Sequence, residues 1–141
     1  MSMKVTFPGG VAVDVEHKGR VIRTDEPREY GGGGTAPAPF DLFLASIATC
    51  AGFYALRFCQ ERSLSTEGLG LTMSTELDAV TRRIATVRLD LQLPAGFPEK
   101  YRAAILRAID QCAVKRHILE PPRFELTTAT ADLEAAGVPN R

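Results

Sequence analysis

Cysteine is the side chain through which this 141-residue sequence can do covalent chemistry, and it occurs three times, as Cys50, Cys59 and Cys112. A thiolate is a nucleophile, and what it does depends on what stands beside it. Cys50 and Cys59 both fall in the stretch Thr35–Arg62, TAPAPFDLFLASIATCAGFYALRFCQER, which reads as one long helix. They are nine residues apart, about half a turn out of phase at 3.6 residues per turn, so they face opposite sides. Neither this nor any other spacing here is CxxC, so a local redox pair is excluded. Cys112 ends a second helical stripe, in which Tyr101, Ile105, Ile109 and Cys112 step by four, four and three residues. Cys50 and Cys112 can therefore meet if the two helices pack those faces together. For an arbitrary cysteine pair, filling space in a core is the commoner use.

Other residue types offer less. His17 and His117 are far apart, and no CxxC or HxxxH spacing suggests a metal site. His117 reads as a residue that caps its helix end or faces solvent. Ser46 and Ser63 lack a G-x-S-x-G context, which argues against a serine hydrolase. The run Gly31–Gly34 has no following lysine and Ser/Thr, so it reads as a flexible hinge rather than a phosphate cradle.

The elements that position the cysteines follow from periodicity. Lys4–Phe7, Val11–Glu16 and Arg20–Thr24 read as short strands, with Gly9-Gly10 and Lys18-Gly19 as turns. In the long helix Pro37 and Pro39 suit an extended entry and a first turn. Its apolar residues lie on every side, which predicts a helix buried on all faces. The uncharged run Leu42–Leu56, closed by Asp41 and Arg57, falls short of the roughly 18 residues of a membrane span. Leu71–Val80 and Ile84–Leu93 alternate with period two, as in an antiparallel hairpin. Pro98 opens the second helix, a helical pattern continues or restarts over Val114–Leu119, and Phe124–Ala129 reads as a closing strand before a loosely held tail to Arg141. The order β-β-β-α-β-β-α-β predicts an α+β fold, one domain over residues 1–141, with an antiparallel sheet against a long buried core helix. So apolar a helix is hard to cover in so small a domain, which predicts an obligate, interlocked homodimer.

Lysine plus arginine balance aspartate plus glutamate at 17 each, so nothing points to nucleic acid or a membrane surface. The start MSMKVTFPGG has no apolar run behind its lysine, so the expectation is no secretory signal and a reduced cytoplasmic protein.

Two stretches resemble a known family. Thr35–Phe53, TAPAPFDLFLASIATCAGF, is similar to the first cysteine signature of the OsmC/Ohr thiol peroxidases, and Asp110–Ile118, DQCAVKRHI, to their second. The motifs lie about sixty residues apart on two helices, and the order of elements also resembles the family's, so the likeness covers nearly the whole chain. It implies an OsmC-like fold, an intertwined homodimer with sites at the subunit interface, and reduction of organic hydroperoxides without cofactor or metal. By motif, Cys50 is the peroxidatic thiol and Cys112 the resolving one, with an external dithiol as reductant. The surroundings Phe43, Ile47, Phe53 and Tyr54 would suit a small apolar hydroperoxide, and would equally suit packing.

Cys50 is mid-helix, so its own helix N-terminus cannot lower its pKa, and burial would raise it. The resemblance implies an arginine from the N-terminal strands, held by a carboxylate near the start of the core helix. Arg20, Arg23 and Arg28 are the candidates, with Arg23 preferred. The carboxylate is Asp41, nine residues before Cys50, whereas the peroxidase members more often carry glutamate one position earlier, where this chain has Phe40. An acid in a first helical turn also stabilises the helix by about 0.3 to 1 kcal/mol without catalytic work. The expected activity is a thiol-dependent peroxidase. The alternatives are an inert protein of the same fold that binds an apolar small molecule at the dimer interface, and a redox sensor.

Overall fold

The computed structural model describes residues 1–130. Strands β1 (Lys4–Gly9), β2 (Ala12–His17) and β3 (Arg20–Thr24) form an antiparallel meander. Val15 of β2 is paired with Val5 on one side and Ile22 on the other. Helix α1 runs over Pro39–Glu61, with Pro39 in its first turn as the sequence predicts. Strands β4 (Gly70–Leu77) and β5 (Ile84–Gln92) make a second antiparallel sheet, in which Leu71 faces Leu91 and Met73 faces Leu89. Helices α2 (Arg102–Ile109) and α3 (Ala113–Leu119) follow. The α+β class stands, built from two small sheets rather than one.

The core is a seam between α1 and α2. Ala51, Ala55, Phe58 and Cys59 of α1 pack on Ile105, Ile109 and Phe97, with leucines of the β4–β5 hairpin closing the cluster. The small side chains of Ala51 and Ala55 let Ile105 come fully inside. Further along, the Phe58 and Tyr101 rings meet edge to face at 5.9 Å, and the Arg62 guanidinium lies 3.8 Å from the Phe58 centroid. This clamp fixes the pitch of α1 against the start of α2.

Four expectations change. First, α1 is not buried all round. One face packs, while Phe40, Phe43, Phe53 and Leu56 remain exposed, and on length and composition alone the helix could cross a membrane. A chain of this size has too few other elements to wrap a helix of 23 residues.

Second, Gly31–Gly34 is no free hinge. The buried Asp25 carboxylate accepts the N–H groups of Glu26 (2.8 Å), Gly33 (3.1 Å) and Thr35 (3.1 Å) and the Thr35 hydroxyl (2.8 Å). Gly32 and Gly34 donate to the carbonyls of Pro27 and Glu26. At Gly32 a Cβ would stand 1.7 Å from the Glu26 carbonyl oxygen, so only glycine fits.

Third, the second helical pattern breaks. Asp110 and Gln111 turn out of α2, and Cys112 is the N-cap of α3 rather than the last residue of a continuous stripe. Fourth, Phe124–Ala129 is not a strand: it joins no ladder among the described residues, and Phe124 and Leu126 are 83% and 96% exposed. A hydrogen-bonded neighbour, not alternation alone, makes a strand. The expected tail from residue 131 onward lies outside the described residues.

Candidate active site

Cys50 lies near the middle of α1, beside the alanine seam, and the break between α2 and α3 brings Cys112 against it. The two thiols are hydrogen-bonding neighbours. Cys112 is 1% exposed, Cys50 half-buried, and neither is in a disulfide. The Cys112 sulfur also accepts the N–H of Lys115 at 3.4 Å, closing the first turn of α3. An ion pair between Lys115 and Asp110 spans the residues on either side of Cys112. The Cys112 loop is thus tied at both ends.

The electrostatics separate the two thiols. Burial pushes Cys50 up, but the Cys112 thiol and the N–H groups of Val114 and Ala113 donate toward its sulfur, and the balance is a lowered pKa. Cys112 is raised, first by burial and then by its hydrogen bond and charge interaction with Cys50. The two thiols are thus shifted in opposite directions, Cys50 toward the thiolate and Cys112 away from it. Cys59, fully buried on another side of α1, is raised by burial despite Arg62 nearby, and it meets neither of the others.

The stabilising groups are Ala113 and Val114, which the sequence reading missed. A mid-helix cysteine cannot use its own helix terminus, but it can use the first N–H groups of another helix. The break at Asp110–Gln111 was the available signal, since a helix that restarts at Ala113 presents unpaired N–H groups next to Cys112.

The other expected site residues stand elsewhere. Arg23 is on β3 opposite Asp14 and lines a hollow of about 380 Å³ with Pro8, Thr24 and Thr35. The meander that carries it has no extensive packing against α1, α2 or α3. No arginine among the described residues contributes to the charge environment of Cys50, and this holds for Arg20 and Arg28 as well. Asp41 accepts the Ala38 N–H at 3.3 Å and caps α1, without an arginine partner among the described residues. Phe43, Ile47, Phe53 and Tyr54 do lie on the turns of α1 flanking Cys50, with Ile47 buried. His117 Nδ1 is 2.7 Å from the Ala113 carbonyl, a contact within α3.

The fold has solved counterparts. A Psychrobacter arcticus protein described as osmotic stress induced and detoxification response superposes with a TM-score of 0.68 at 22% identity, over 82% of this chain and 86% of that one. An organic hydroperoxide resistance protein from Legionella pneumophila superposes with a TM-score of 0.53 at 21% identity, over 84% of this chain and 89% of that one. Among curated proteins, none matches the sequence. The family model for OsmC-like proteins matches residues 31–127, which take in Cys50, Cys112 and the helices that carry them, and the chain belongs to the OsmC-like family.

Proposed function

We propose that this protein reduces organic hydroperoxides through a thiol–disulfide cycle of Cys50 and Cys112. The observation that carries the reading is the pairing of two free, neighbouring thiols whose acidities are shifted in opposite directions, Cys50 down and Cys112 up. The Cys50 thiolate attacks the distal oxygen of the hydroperoxide. An S–O bond forms, the O–O bond breaks, and the alkoxide leaves as the alcohol after taking a proton. Cys50 is then a sulfenic acid. Cys112 attacks that sulfur, its proton leaves with the hydroxyl as water, and a disulfide closes. An external dithiol returns two electrons and two protons. The organic hydroperoxide resistance described for the Legionella neighbour agrees with this chemistry.

The site is completed, in this reading, by a second copy of the chain. The meander with Arg23 stands apart from its own helices, so Arg23 approaches Cys50 only across a dimer, with Asp41 near the start of α1 as its prospective carboxylate. The test is intact mass and peptide mapping after titration of the reduced protein with cumene hydroperoxide. Loss of two hydrogens, mapped to a Cys50–Cys112 link at near-stoichiometric peroxide, is the expected result. Unchanged thiols under excess peroxide overturn the cycle and leave binding of an apolar small molecule at the dimer interface as the function.

A further inference from the structure

The β4–β5 turn and the groove it overlooks have no part in the cycle above. A hollow of about 600 Å³ lies between α1 and the hairpin, walled by Phe40, Phe43 and Ile47 of α1, Ile84 and Val87 of β5, and Ile118 of α3. It shares Ile47, Val87 and Ile118 with a second hollow of about 390 Å³ that continues toward α2. The two form one groove along the side of α1 that bears Cys50. Ile47 is one turn before Cys50, and Phe40 to Cys50 spans roughly 15 Å of helix.

Charge in this groove is confined to its ends. At the α2 end Asp110 and Lys115 neutralise each other. At the hairpin end stand Arg82 and Arg83, neither with an ion-pair partner among the described residues. Their turn is fixed. The Asp78 carboxylate accepts the N–H groups of Val80 (3.0 Å) and Thr81 (2.6 Å) and the Thr81 hydroxyl (2.9 Å). The Asp78 carbonyl accepts the Arg82 N–H at 3.0 Å, and the Asp78 N–H donates to Arg83 at 2.8 Å. Arg82 itself is held at φ 59°, a left-handed conformation that a long side chain seldom adopts. Two guanidiniums presented from a rigid turn over a hydrocarbon wall match an anionic head on an apolar chain, with little ordering left to do on binding.

We propose that Arg82 and Arg83 anchor the carboxylate or phosphate head of a linear amphiphile whose chain lies in the groove along α1. The anchor does not depend on the thiol–disulfide reading above. Calorimetric titration of the full chain with dodecanoate, dodecyl phosphate and dodecanol separates the two. The anions should bind at least about tenfold more tightly than the alcohol, the scale of one charge-assisted contact. The double variant Arg82→Gln/Arg83→Gln should bring them down to the alcohol's level, with retained dodecanol binding showing that it is folded. A preference for one anion identifies the head. Equal binding of anions and alcohol by the native chain, or a preference that survives in the double variant, overturns the anchor. Binding that depends on the arginines, in a protein whose thiols ignore cumene hydroperoxide, keeps the anchor and sinks the peroxidase cycle.

Discussion

At Cys50, loss of hydration and gain of donors act against each other on one sulfur. Burial favours the thiol, whereas three donors favour the thiolate, and the donors prevail. Since the anion is the reactive form, Cys50 should be alkylated by iodoacetamide at neutral pH ahead of Cys59 and Cys112, both of which burial holds up. Its rate should fall on acidification through a midpoint below the usual thiol value of about 8.5. Competitive mass-spectrometric labelling measures this, and equal rates at the three cysteines would contradict it. The backbone contribution has its own probe. Ala113 is the first residue of α3, where proline is tolerated, and Cys112 before it has ψ 117°, as a pre-proline residue requires. Ala113→Pro should delete one donor, keep the helix, and move the Cys50 alkylation midpoint upward. In turnover the two cysteines should separate cleanly. Cys50→Ser abolishes reduction, while Cys112→Ser allows one oxidation and then lets Cys50 proceed to sulfinic acid under excess peroxide.

The elements around the site are held by polar knots as much as by the core. Asp25 is lowered by the Thr35 N–H, the Thr35 hydroxyl and the Glu26 and Gly33 N–H groups, against burial. A depressed carboxylate contributes stability above its unfolded pKa of about 3.9 and loses it as pH falls through the lower folded value. Denaturant midpoints should therefore drop below about pH 4 in the native chain, and Asp25→Asn should lower the neutral-pH midpoint and flatten that dependence. Gly32→Ala should cost about 2 kcal/mol or more, because the methyl meets a carbonyl oxygen of fixed backbone rather than a movable side chain. A denaturation midpoint like the native one would show that the loop can open. These knots mark the limit of what sequence makes legible. The strands, α1 and the hairpin are readable because period and proline position express local preferences. The glycine run is not, because its order comes from one aspartate eight residues away from Gly33. The Cys50–Cys112 pair could be inferred from helical phase and family motif, yet its donors at Ala113 and Val114 arise from a helix break that periodicity blurs. Phe124–Ala129 alternates like a strand, but pairing is a property of a neighbour, and alternation does not supply one.

At the scale of the molecule, the single chain leaves much of its apolar surface open. That surface lies on two features that point away from their own core. The meander exposes Phe7 (79%), Val5, Val21 and Ile22, and α1 exposes Phe53 (52%) and Leu56 opposite its packed seam. Apolar area of this extent on elements that also carry Arg23 and Cys50 supports a second copy whose meander covers the open face of α1. The open α1 face and the unassisted Cys50 are linked, since the same docking would bring an arginine to a sulfur that has only neutral donors in its own chain. Native protein should therefore sediment as a dimer at micromolar concentration. Phe53→Glu should shift it toward monomer and, with Arg23 withdrawn, slow peroxide oxidation of Cys50 well beyond any effect on iodoacetamide accessibility. Mixing Arg23→Ala with Cys50→Ser subunits resolves the geometry: if the arginine serves the opposite subunit, the heterodimer contains one site that joins the native Cys50 of one chain to the native Arg23 of the other, whereas an arginine that serves its own chain leaves no complete site. The pairing Arg23→Ala on one chain with native Cys50 on that same chain retains activity only if the partner's meander is the donor. Activity recovered on mixing thus establishes the crossed site, and a native monomer in sedimentation ends it.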